Sequence, residues 1–142
     1  VLALDGARVV GVSTGIPMRD ETDEFKAPFL AHGYDPEQVF YFGESVLLHG
    51  YRGHGLGVRF FEEREGYARA LGGVRWTAFC AVERPADHPL RPQDYVPLDA
   101  FWTKRGYRKV PALQSVYRWK DIDQAVESDH VMTYWLKDWA AA

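Results

Sequence analysis

An α+β fold, one mixed and mostly antiparallel twisted sheet with a central helix behind a glycine-rich loop, is predicted from three features of the chain. Short apolar runs rich in Val, Phe, Tyr and Trp recur between turn signals, the mark of strands. The longest stretch with helical spacing, 56–71, follows such a run and is divided from it by Gly50, Gly53, Gly55 and Gly57. A second, shorter helix and a closing pair of strands complete an order typical of an α+β sheet.

Taken in order, the first two strands are 1–4 and 9–16, and Asp5-Gly6 between them is a hairpin signal. A polar loop follows over 17–24. Its carboxylates Asp20, Glu21, Asp23 and Glu24 read first as a solvated surface and second as an attractor of a cationic amine. Residues 25–32 suit a short helix, with Thr22 or Asp23 as cap and Gly33 as stop. Asp35-Pro36-Glu37 opens a turn, and 39–42 leads into the central strand, whose apolar run Val46-Leu47-Leu48 is expected to be buried. In the central helix Phe60, Tyr67, Ala68 and Leu71 recur at helical spacing, with Gly72-Gly73 as the stop. Residues 74–82 form a long apolar strand, and 83–92 an irregular proline-rich segment of a kind that often walls a site. A short helix spans 98–105 and ends at Gly106. Residues 109–119 and 131–136 are the last strands, with 121–129 between them polar and either helical or looped.

The 142 residues fit one domain, and an apolar fraction of 46% with 15% aromatic residues excludes a disordered chain. A net charge of −3 with scattered Lys and Arg argues against nucleic acid or an anionic membrane surface as partner. No apolar run approaches the roughly 18 residues a spanning helix needs. Cys80 is alone, so no intrachain disulfide can form, which fits a reducing cytoplasm. His32, His88 and His130 stand at no ligand spacing, so no metal site is expected. Val1 in place of Met, with an immediate strand pattern, points to a piece of a longer polypeptide.

A helix that begins at a glycine-rich loop aims unpaired N–H groups and its positive dipole end at one point. That suits a phosphate or pyrophosphate, and Arg52 adds a fixed charge. The dinucleotide fingerprint fails on spacing, because the glycines stand at 53, 55 and 57. The P-loop fails because no Gly-Lys-Ser/Thr follows. Arg52-Gly53-His54-Gly55-Leu56-Gly57 does match Gln/Arg-x-x-Gly-x-Gly/Ala. With Tyr51 and the strand before it and the helix behind, it resembles the acyl-CoA-binding motif of the GCN5-related N-acetyltransferases (GNAT). Ala100-Phe101-Trp102-Thr103-Lys104-Arg105-Gly106-Tyr107 is similar to the family's Ala-x-x-Phe-Tyr-x-Lys-x-Gly-Phe segment, one residue shorter after the alanine. The resemblance covers nearly the whole chain from the family's second strand onward; the first strand and the helices after it would lie before Val1. A tight strand-to-helix turn with no ligand is the plain alternative.

The resemblance implies an acyl-CoA N-acyltransferase fold and an N-acetyltransferase. Such an enzyme moves the acetyl group of acetyl-CoA to a primary amine by direct attack in a ternary complex. The backbone of Ser45, Val46 and Leu47 would pair with the pantetheine arm as an added strand does. The pyrophosphate would sit on N–H groups of Arg52, Gly53, His54, Gly55, Leu56 and Gly57. Val46 or Leu47 would supply an N–H to the oxyanion. Glu44 would take the amine proton through water, with Tyr41 a weaker alternative and a salt-bridged strand-end carboxylate the competing explanation. The family's thiolate-protonating tyrosine falls on Trp102, whose indole is no acid at neutral pH. Tyr95, Tyr107, His49 or water would have to serve, or the thiolate leaves unassisted. Cys80 reads as core packing rather than as a nucleophile. The acceptor would be a small-molecule or protein amine, and Trp135, Trp139 and the last strand carry enough apolar surface for a homodimer contact. Two other classes compete: a non-catalytic CoA-binding or regulatory module of a larger protein, favoured by Trp102, and a structural domain with no cofactor.

Overall fold

The computed structural model describes residues 1–140. Nine elements follow in order: β1 Leu2–Asp5, β2 Arg8–Pro17, α1 Asp23–Ala31, β3 Val39–Leu47, α2 Leu56–Leu71, β4 Trp76–Val82, α3 Asp99–Lys104, β5 Arg108–Trp119 and β6 Ser128–Asp138. The strands form one sheet in the order β1-β2-β3-β4-β6-β5. Neighbours pair antiparallel except β3 and β4, which run parallel because α2 carries the chain back across the sheet. The β1–β2 hairpin turns after Asp5, where Gly6 has φ +58°.

Strand alternation explains the central run. Val39 and Tyr41 face the layer of α1, where Phe29, Leu113 and Tyr134 are buried, while Phe40 and Phe42 face α2 and α3, packing with Phe61, Ala68 and Trp135. Both faces are covered, so four consecutive apolar residues are buried without alternating to polar ones.

Two expectations need correction. The run Val46-Leu47-Leu48 is not a buried strand: Val46 is 58% exposed and Leu48 is exposed too. The buried part of β3 stops at Phe42, one residue past the last pair of its parallel ladder with β4, Tyr41 with Ala78. In α2 the buried face is Phe60, Phe61, Arg64 and Ala68, whereas Tyr67 is 62% exposed and Leu71 is also exposed. The stripe 60-64-68 points at the sheet, and Tyr67 lies at its rim with its ring edge-on to Phe40. The segment between β5 and β6 is a loop of turns. Trp135 is buried against Phe79 and Trp102, and Trp139 donates to Thr77 Oγ1 at 3.1 Å, so both are used within the chain.

Candidate active site

The parallel β3–β4 ladder is short. It pairs Val39 with Trp76, Phe40 with Thr77 and Tyr41 with Ala78, and no further. Beyond it β3 stays with β2 as far as Leu47, and β4 stays with β6 as far as Val82. The facing edges of the two strands therefore diverge into an open cleft.

A bulge accompanies the divergence. Between the pairs Gly15–Phe42 and Ser13–Ser45, the single residue Thr14 faces two on β3, Gly43 and Glu44. Such an insertion bends the strand and re-aims the side chains beyond it. Two groups hold it. Thr14 Oγ1 accepts from the Glu44 N–H at 2.8 Å, and Arg64 of α2 donates from Nη1 to the Thr14 carbonyl at 3.2 Å and the Glu44 carbonyl at 3.4 Å. Arg64 is only 4% exposed, with its guanidinium 4.3 Å from the centre of the Phe42 ring. Burial pulls its pKa down to about 10, which leaves it charged at neutral pH.

The bulge shifts the alternation by one. Before it, odd positions face α1; after it, Leu47 packs with Phe60 of α2, so Val46 and Glu44 fall on the α1 face. Glu44 is exposed there and makes no ion pair among the described residues, which removes the salt-bridge explanation. Its charge is felt by the neighbouring Cys80 thiol, whose pKa is raised first by burial and also by Glu44 and Glu21. The N–H groups of Glu44 and Leu48 both turn to β2, to Thr14 Oγ1 and to the Val10 carbonyl. Ser45 and Leu47 alternate with them and so present their N–H groups to the open edge. Of the two candidate oxyanion donors, Leu47 rather than Val46 has the free direction.

The glycine loop lies at the end of this edge. A single 3-10 turn, His49–Tyr51, is followed by extended Arg52. Gly53 and Gly55 then adopt φ of +79° and +82°, the left-handed region that other residues enter at a cost. Gly55 caps α2 without a side-chain hydrogen bond, so the first-turn N–H groups have no side-chain cap. No atom lies within 4 Å of where a Cβ would stand at either glycine, which leaves the cradle open to a bulky anion. At Gly57 the Phe101 ring of α3 is 3.5 Å from that position, an ordinary contact consistent with Gly or Ala there. His54 Nδ1 lies 3.3 Å from the Tyr51 carbonyl, and Tyr51 Oη donates to Asp5 Oδ2 at 2.6 Å, tying the loop to the first hairpin. Arg52 and His54 are exposed.

Several candidate acids and bases are locked. Tyr41 shares a hydrogen bond with Cys80 Sγ at 3.2 Å, and burial drives its pKa far above the usual phenol value, so it is no base at neutral pH. Tyr107 is fully buried, 2.7 Å from Thr77 Oγ1 and donating to Glu65 at 2.9 Å, and burial raises its pKa strongly as well. Trp102 packs on Phe79 and Trp135, with ring centres 5.0 and 5.1 Å away. His49 and Tyr95 are exposed. Cys80 has the core setting expected of it. Arg64 and Thr14 are the residues that sequence reasoning missed. The signal for Arg64 was present: a charged residue interrupts the apolar stripe between Phe60 and Ala68.

A cavity of about 730 Å³ lies beside Trp102, and no residue of the glycine loop or of β3 lines it. Among the described residues no group of His, Cys, Asp or Glu is arranged to hold a metal, and no helix is long and apolar enough to cross a membrane.

Comparison with known proteins gives a consistent result at the level of fold. No family model matches the sequence, and no curated protein matches it. Solved structures do. An acetyltransferase of the GNAT family from Streptococcus pneumoniae superposes with a TM-score of 0.57 at 14% identity, over 96% of this chain and 64% of that one. A ribosomal-protein-alanine N-acetyltransferase from Brucella melitensis gives 0.56 at 15% identity, over 96% and 66%. An acetyltransferase from Thermus thermophilus gives 0.53 at 17%, over 96% and 61%. The chain thus spans less than two thirds of the length of these proteins, and at such identities the likeness is one of fold.

Proposed function

We propose that this chain, which has the acyl-CoA N-acyltransferase fold, binds acetyl-CoA in the cleft between β3 and β4 and transfers its acetyl group to a primary amine. The observation that carries this is the open edge of β3, with the N–H groups of Ser45 and Leu47 directed into a cleft that ends at the Gly53–Gly55 cradle. The fit is physical. An extended amide-bearing arm can add to that edge as a strand, and the uncapped start of α2 with Arg52 suits a pyrophosphate. The contacts would come from Ser45, Val46 and Leu47 along the arm and from the stretch Arg52, Gly53, His54, Gly55, Leu56 and Gly57 at the phosphates.

Bound acetyl-CoA supplies an activated acyl carbonyl. Leu47 offers its N–H to the developing negative charge, and the bulge holds that donor in place beforehand. Glu44 is free of ion pairs and aimed at the α1 face, where it receives the proton of the attacking ammonium through water. With Tyr107 locked, and Trp102 unable to act as an acid, protonation of the departing thiolate falls to the exposed Tyr95 or His49 or to water, or the thiolate leaves unassisted. That last point favours a second reading, a CoA-binding module without turnover.

Glu44→Gln separates the two. With a panel of primary amines and detection of released thiol, the parent chain turns over; the variant loses about a hundredfold or more in kcat while its affinity for acetyl-CoA stays within about threefold. Equal rates for parent and variant would remove Glu44 from the chemistry. Tight binding of acetyl-CoA without thiol release from any amine would establish the binding module instead.

A further inference from the structure

Arg64 is a buried cation with no step of its own in the transfer. It is 4% exposed, and its guanidinium lies 4.3 Å from the centre of the Phe42 ring and 5.3 Å from that of Phe61. A charge so placed is costly unless it is paired. Yet its hydrogen bonds go to neutral carbonyls. Within the helix Nε donates to Phe60 at 3.1 Å; across to the sheet Nη1 donates to Thr14 at 3.2 Å and to Glu44 at 3.4 Å. Among the described residues no carboxylate forms an ion pair with it. Glu65 acts on it through space, but that carboxylate accepts from Tyr107 at 2.9 Å and from Lys137 at 3.2 Å.

The Glu44 carbonyl is the informative partner, because it shares a peptide unit with the Ser45 N–H. In a trans peptide the two groups point in opposite directions. The carbonyl is turned to Arg64, and the N–H to the open edge of β3. A charged donor on a carbonyl polarises the whole unit and strengthens its N–H as a donor, most of all where water is excluded. The preceding unit is held as well, by the Glu44 N–H on Thr14 Oγ1 at 2.8 Å. The cation therefore acts at the cleft without standing in it.

We infer that Arg64 is a positioning residue for the cofactor: through the Glu44–Ser45 peptide, its charge aims and strengthens the Ser45 N–H that pairs with an extended amide-bearing arm. This rests on the acyl-CoA reading of the cleft given above. It adds that the charge behind the strand, and not the shape of the bulge alone, sets the affinity for the arm.

The test is calorimetric titration, well below the melting temperature, of the parent, Arg64→Met and Arg64→Lys. The ligands are acetyl-CoA and adenosine 3′,5′-bisphosphate, a nucleotide that lacks the arm. Arg64→Met should bind acetyl-CoA about tenfold more weakly, with the bisphosphate within about twofold of the parent. Arg64→Lys, which restores a charge, should return acetyl-CoA affinity to within about threefold of the parent. If Arg64→Met does not fold, Arg64→Gln, a neutral donor, takes its place with the same expectation. Equal weakening of both ligands would mark a general loosening of the site and overturn the inference. So would an Arg64→Lys variant that binds no better than the neutral one. Acetyl-CoA binding by the parent and an unchanged affinity in the neutral variant would remove this role alone. No acetyl-CoA binding by the parent would remove the proposed function and this role with it.

Discussion

Gly55→Glu is expected to weaken acetyl-CoA binding by about a hundredfold or more. Two effects act together. Gly55 holds φ +82° at the cap of α2, so any side chain there costs about 1–2 kcal/mol in backbone strain. The larger effect is on the ligand: a carboxylate enters the cradle where N–H groups and the helix dipole would meet a pyrophosphate, and it repels that group. A control separates the two. Gly33 also has positive φ, +78°, with nothing within 4 Å of its Cβ position, but it follows α1 away from the cleft. Gly33→Ala and Gly55→Ala should destabilise the fold by similar amounts, and only the Gly55 variants should change the dissociation constant. Undiminished acetyl-CoA binding by Gly55→Glu would show that the cradle holds no phosphate.

Arg64→Met is expected to cost about 2–4 kcal/mol, a fall of roughly 10 °C in melting temperature for a chain of this size. Replacing a buried ion pair by apolar groups is often harmless, because both charges leave together. Here the partners are the backbone carbonyls of Thr14 and Glu44, which remain when Arg64 goes and lose their donor where the ladder is already broken. Methionine fills most of the volume beside Phe42 and Phe61, so the cost isolates the unpaired carbonyls from cavity formation. Arg64→Lys keeps the charge and has one nitrogen where the guanidinium has three, so it should fall between the parent and Met. A thermal melt that places Arg64→Met within about 0.5 kcal/mol of the parent would show that the bulge holds itself.

The same two residues mark what a sequence does and does not disclose. The first hairpin was legible from Asp5-Gly6, and α2 from its spacing and the glycines at both ends, because turn chemistry and helical periodicity are local. The bulge was not. It depends on Thr14 and Arg64, thirty residues before and twenty after Glu44, which meet only when β2, β3 and α2 pack. Val46-Leu47-Leu48 looked like core because an apolar run carries no sign that its partner strand has turned away. The glycine motif was legible because few residues other than glycine enter the left-handed region of Gly53 and Gly55. The cavity beside Trp102 escaped notice because Arg84 and Asp121, which close it, lie 37 residues apart.

The most direct measurement is a thermal-shift titration of the purified chain with acetyl-CoA, free CoA and ATP. A ligand that binds only the folded state raises stability by about 2.7 kcal/mol at a hundred times its dissociation constant, a shift of several degrees here. Acetyl-CoA and CoA should stabilise to similar extents and ATP much less, since the edge of β3 selects the pantetheine arm that ATP lacks. No shift with either CoA form would contradict the assignment of the β3–β4 cleft as an acyl-CoA site.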